Sequence, residues 1–189
     1  MKVPILYLFL LSAVFAISCE NAGKGPADDS SWIEDTTIFR QSTEGAALTH
    51  REEDFLSDLL EMNFEQLIWL QNGVRFGSDE GLKMHAKKML DDHKKMDSLY
   101  KAFAIDRNAD LEPIDSNKEF YLDEPIGNEW NEEWADVIKE RHQRLIKRFE
   151  RADKHIRDST LRALNTQHLP ILQSHRDIAA QLEEQFDKK

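Results

Sequence analysis

The chain has 189 residues, with 36 Asp and Glu against 25 Lys and Arg, a formal net charge of −11, and one cysteine. That length suits one domain with short extensions, and the acidic balance argues against binding nucleic acid or an anionic surface, whose phosphates it would repel. Few prolines and glycines and no alternating run of Val, Ile or Thr disfavour a sheet, so the composition points to an all-α domain, and a lone cysteine excludes an internal disulfide.

The first 19 residues, "MKVPILYLFLLSAVFAISC", carry one charge, Lys2, and run apolar from Val3 to Ile17. This run is shorter than the ~20 residues that span a bilayer comfortably but matches the apolar region of a secretory signal. It closes in Ala16-Ile17-Ser18-Cys19, which resembles a bacterial lipoprotein signal. The resemblance implies cleavage before Cys19 and acylation of its sulfur and new amine. Each buried methylene contributes ~0.8 kcal/mol, so several chains on Cys19 would make attachment effectively permanent. The expectation is a signal peptide at 1–18 and a lipid-anchored flexible tether at 19–48. The membrane would be the partner, reached through lipid on Cys19, with the domain extracytoplasmic in the bacterial cell envelope. Gly, Pro, Ser and Asp dominate "ENAGKGPADDSS" at the head of the tether. Trp32, Ile33, Ile38 and Phe39 interrupt it and either dock on the domain or form a short helix.

Residues 49–187 read as a four-helix bundle. Thr49 and Glu52 form the pattern of a capping box ahead of a first helix to about Phe76, which Gly77 ends. Ser78 is placed to cap a second helix, to about Ile105. Residues 106–128 hold two prolines and a glycine and read as a long connection. A third helix spans about Glu129–Arg157, and Asp158, Ser159 and Thr160 offer a cap for a fourth, to about Asp187. The first and third connections are tight, so each joins antiparallel neighbours. The 23-residue middle one can reach ~75 Å when extended, twice the ~38 Å of a 25-residue helix. Two antiparallel hairpins joined by one long crossover is ferritin-like connectivity; a plain up-down bundle with the loop as a lid is the alternative. Pro170 either kinks the fourth helix or sits in the first turn of a new helix capped by Thr166.

At ~100° per residue, each helix shows an apolar stripe with a polar residue at its centre. The second has Leu82, Ala86, Met89, His93, Met96 and Tyr100. The third has Trp134, Ile138, His142, Leu145 and Phe149. The fourth has Leu161, Leu164, His168, Ile171, His175, Ile178 and Leu182, and the first has Leu56, Leu60, Asn63, Leu67 and Leu70, with Glu61 and Glu65 facing away. Asn63, His93, His142 and His175 each lie near their helix's midpoint, a level that helix direction does not change. They should therefore meet at mid-bundle, with His168 roughly 10 Å along the axis. Neutral imidazoles from facing helices suit a transition-metal ion such as zinc, iron or copper. The candidate ligand set is His93, His142, His175, Asn63 and His168, with Asp92 the one acid near that level. The same side chains could instead form a structural hydrogen-bonded network. No histidine follows an acid by three residues, which disfavours a di-iron carboxylate site. Opposite the first stripe, Phe64, Ile68 and Trp69 form a second apolar face on the first helix. Either the tether covers it, or it is a site for a protein partner or self-association.

"HAKKMLDDHKKM", "WNEEWADVIKERH" and "LPILQSHRDIAAQL" together resemble the bacterial family catalogued as domain of unknown function 4142, over about residues 50–184. The resemblance implies a ferritin-like, exported and often lipid-anchored protein. It rests most on the Asp92-His93 pair and on Leu169-Pro170 leading to His175. Where the family's third helix carries an Asp-His pair, this chain has Arg141-His142, and Glu65 matches an acidic position on the family's first helix. The sequence thus reads as an envelope lipoprotein of unknown activity with a histidine-lined core, metal-binding or redox-related. A non-catalytic binder of a partner or small ligand is the alternative.

Overall fold

The computed structural model describes residues 47–188. The expected signal peptide, Cys19, and Trp32, Ile33, Ile38 and Phe39 all lie outside them. Four helices, α1 (His50–Phe76), α2 (Glu80–Asp106), α3 (Asn128–Asp153) and α4 (Ser159–Asp187), form an all-α bundle with no strand among the described residues. None of these helices is long and apolar enough to cross a membrane.

Each helix end has a local cause. At the start of α1 the Glu52 carboxylate accepts from the Thr49 backbone N–H (2.8 Å) and hydroxyl (2.7 Å). Gly77 closes α1 through its N–H to the Gly73 carbonyl; a Cβ there would lie 2.7 Å from that oxygen and 2.6 Å from Leu82. The cap of α2 is Asp79, which accepts from Leu82 N at 3.1 Å, and not Ser78. Ser78 is drawn to α3, exchanging hydrogen bonds with the Asn131 amide at 3.0 and 2.9 Å. After α2, Asn108 takes φ of 48°, a left-handed conformation that asparagine tolerates.

Helix α3 ends four residues before the expected Arg157. The N–H groups of Arg157 and Asp158 are bound by Glu52 Oε1, at 2.6 and 2.8 Å, and so leave the helical ladder. Asp158 then caps α4, accepting from Thr160 N and Leu161 N. Helix α4 runs unbroken past Pro170. The Thr166 hydroxyl bonds back to the Arg162 carbonyl and caps no new helix. Both Thr166 and Pro170 are exposed, so the carbonyl that proline leaves unpaired lies on the solvent side of the helix.

The 107–127 connection settles the topology. It is fastened along α1 from start to end. Asp110 N meets Glu53, Glu112 N meets Ser57, Lys118 pairs with Glu61 and Glu65, and the Asn72 amide donates to the Phe120 carbonyl. The chain is thereby carried the length of the bundle, and α3 starts beside the α1–α2 turn, with Trp130 against Phe76. Helices α2 and α3 therefore run parallel. Helix α1 packs on α2 and α3, and α4 on α3 and α2. Two antiparallel hairpins and one long crossover make this the ferritin-like arrangement rather than the up-down one.

The apolar interior is two clusters, not one. One contains Phe55, Leu60, Met96, Leu145 and Leu172; the other contains Trp69, Leu90, Ile138 and Ala179. Every helix crosses from one to the other over a short interval, and a buried polar residue stands in each: Asn63 and Gln66, His93, His142, and His175. In the second cluster Trp134 donates from its indole to the Trp69 carbonyl at 2.8 Å and lies on Gly73, where a Cβ would come within 2.3 Å of its ring. Burying each large apolar side chain contributes about 1.5–3 kcal/mol, so a polar layer through the middle of such a core has to meet its own hydrogen-bonding needs.

Candidate metal centre

His93 on α2, His142 on α3 and His175 on α4 are at most 3% exposed. Their ring centroids are 5.2–5.5 Å apart, and one nitrogen of each ring lies within 4.8 Å of those of the other two.

The hydrogen-bond partners fix the tautomers. Asn63 directs its NH2 at the His93 carbonyl (3.3 Å) and at Asp97 (3.4 Å), so its oxygen faces His93 Nδ1 at 2.7 Å. That nitrogen must donate, and Nε2 of a neutral His93 is then a bare lone pair. His142 Nδ1 lies 2.8 Å from the Ile138 carbonyl and likewise donates, leaving its Nε2 bare. The Gln66 amide nitrogen, 3.5 Å from the same Nδ1, is the weaker contact, since its oxygen is held by Arg141 Nε at 3.2 Å. The two bare nitrogens, His93 Nε2 and His142 Nε2, face each other at 3.1 Å. Two acceptors at that separation in a buried, low-dielectric setting repel unless a cation lies between them.

Protonation is a poor source of that cation. Burial, followed by the neighbouring His142, His175 and His168 rings, holds His93 well below its ordinary range. His142 is held down to about 3, mainly by burial and then by His175, against the opposing bond to Ile138. His175 Nε2 meets the Asp92 carboxylate at 3.1 Å, and His175 Nδ1 is buried with no hydrogen-bond partner. Burial pushes the Asp92 carboxyl up, but bonds from His175 and Lys88 outweigh it and keep the acid ionised. His175 therefore donates from Nε2 to Asp92. With Nε2 so occupied, Nδ1 would be a third bare nitrogen on a neutral ring and a buried, unpaired N–H on a charged one.

The structure divides the six candidates from the sequence. It brings His93, His142 and His175 together, while Asn63 and Asp92 occupy the far nitrogens of His93 and His175. His168 stands apart, with Nδ1 on the Leu164 carbonyl at 2.8 Å and its ring against Tyr100. Two further residues belong to the setting. Gln66 is buried beside His142, and Glu65, expected to face away, is half-buried and pairs with Arg141 (2.7 Å) and Lys118 (2.7 Å). Their signal was weak, because both depend on Arg141 and on the path of the crossover. A cavity of about 420 Å³ is lined by Glu65, Gln66, Arg141 and Arg144. The second apolar face of α1 is partly claimed by the chain itself: Trp69 is buried and stacks on Phe120 of the crossover, which corrects its assignment to a partner, while Phe64 and Ile68 stay half-buried.

Fold and site together define a four-helix bundle protein with a buried cluster of three histidines. A family model matches residues 39–182, and the chain belongs to that family, described as a domain of unknown function, DUF4142. No curated protein matches it. The crystal structure of a conserved hypothetical protein from Mycobacterium tuberculosis is similar, with a TM-score of 0.61 and 10% identity over 71% of this chain and 91% of that one. At that identity the likeness shows the fold alone.

Proposed function

We propose that the protein binds one transition-metal ion, zinc, iron or copper, between His93 Nε2, His142 Nε2 and His175 Nδ1. The observation that carries this reading is the 3.1 Å approach of two ring nitrogens, neither of which has a proton to share. Nitrogens bound tetrahedrally to zinc at about 2.0–2.1 Å lie about 3.3 Å apart, close to the spacing of this pair. Asn63, the Ile138 carbonyl and Asp92 bind the opposite nitrogens, the outer-shell arrangement that orients metal-bound imidazoles. The Asp92 carboxylate also offsets part of the charge a divalent ion brings into the core. Three protein donors leave one position for water or a small ligand, as in catalytic rather than structural zinc sites. A structural network of the same rings would need a proton between His93 and His142, which burial opposes.

The same proposal places the domain outside the cytoplasm, anchored in the cell envelope through lipid on Cys19. Its support is the apolar run Val3–Ile17 ending at the sole cysteine. Replacing Cys19 by Ser should release the protein from membranes.

The test of the metal reading is elemental analysis of the tag-free protein by mass spectrometry, as purified and after reconstitution. The proposal expects one ion per chain, lost in His93→Ala/His175→Ala; no stoichiometric metal after reconstitution would end it.

A further inference from the structure

The net charge of −11 conceals a separation of charge along the molecule. Residues 119–136 carry seven acids and no Lys or Arg, whereas residues 139–157 carry eight Lys and Arg against three acids. At the acidic end, burial and then the crowding of Glu124, Asp136, Glu132 and Glu140 push the Glu133 carboxyl up. The basic residues run toward the opposite end, where α1 begins and α3 finishes.

A cavity of about 410 Å³ lies there, between the first turns of α1 and the last turns of α3. Arg51, Arg148, Arg151, Lys154 and His155 line it, over an apolar floor that includes Phe55 and Ile156. Of its two acids, Glu52 is already committed to four hydrogen bonds with Thr49, Arg157 and Asp158. Arg148 spans the wall, paired with Asp58 and near the Asp54 carbonyl, but its Nε is buried and has no acceptor. Arg151 and Lys154 have no ion-pair partner among the described residues. Arg51 lies 3.5 Å from His155 Nδ1, to which it can only donate, so a neutral His155 carries its proton on Nε2 as a further donor. Basic residues at the end of α3 complement its dipole, but that does not account for Arg51 on another helix or for a buried guanidinium N–H without a partner.

We propose that this cavity is a binding site for a phosphate group, the chemistry that a phospholipid headgroup and free phosphate share. Guanidinium forks match phosphate oxygens in geometry and charge. The site is independent of the histidine cluster.

The experiment is isothermal titration calorimetry on the full-length chain in non-ionic detergent at constant ionic strength. The titrants are inorganic phosphate, monomeric dihexanoyl phosphatidylglycerol, and chloride as the control. Arg51→Gln/Arg151→Gln should weaken binding by at least about tenfold, whereas Lys83→Gln/Lys87→Gln, an equal charge change on α2, should leave it within about twofold. Binding of inorganic phosphate lost in the first variant supports the site and identifies free phosphate as sufficient. Binding of the lipid alone, lost in the same way, supports it and identifies the headgroup. Absence of binding to both, equal response to chloride, or equal weakening in the two variants would overturn it.

Discussion

His168 and His175 stand seven residues apart on the buried face of α4, and their surroundings differ completely. His168 donates to the carbonyl one turn back and packs on Tyr100, whose hydroxyl donates to Asn165 at 2.9 Å. That is a buried histidine settled by local bonds. His175 donates from Nε2 to Asp92 while its Nδ1 meets no partner, beside two rings whose free nitrogens face each other. Burial of a histidine alone therefore says little. What marks a site is several rings whose outer nitrogens are all satisfied while the inner ones are not.

This contrast is open to direct attack. The largest effect should come from the ligands: His93→Ala should weaken zinc or copper binding by more than about 100-fold, and His168→Ala should leave it within about threefold, both read by competition with a chromophoric chelator. Equal losses would erase the distinction. Next, Asp92→Asn should lower metal affinity by about 10–100-fold, because the amide cannot offset the ion's charge and orients His175 less firmly.

A third effect is on the metal-free protein. The folded-state values of His93 and His142 are depressed, so below about 6.5 the unfolded chain takes up protons that the folded one refuses. The stability contribution is full above that pH and is lost as pH falls toward the folded values, by about 1.4 kcal/mol per pH unit for each ring. Urea melts between pH 7 and 5 should show this slope, and His93→Gln should reduce it. Smallest is Tyr100→Phe, expected to cost about 1 kcal/mol in the same melts with metal affinity unchanged.

Much of this was legible in the sequence, for identifiable reasons. A period of 3.6 residues fixes which face a histidine takes, and a midpoint position fixes its level whichever way the helix runs. His93, His142 and His175 were therefore found without knowing the topology. The face of α4 was off by one residue beyond Pro170, where Leu172 and Ala179 are buried in place of Ile171 and Ile178. What a helical wheel cannot supply is the neighbour. Glu65 sits at the edge of its helix, and only the arrival of Arg141 from α3 and Lys118 from the crossover makes it a bridge. Glu52 read as a cap, yet half of its carboxylate holds the α3–α4 turn, more than a hundred residues away. Net charge likewise hides a neighbourhood: the total is acidic, but the basic residues 139–157 gather along one helix and the turn after it.

The most direct measurement is an anomalous diffraction map of crystals of the zinc-reconstituted protein. One strong peak within about 2.1 Å of His93 Nε2, His142 Nε2 and His175 Nδ1 is the result expected. A map with no peak between those rings, or with zinc only on surface carboxylates, would contradict it.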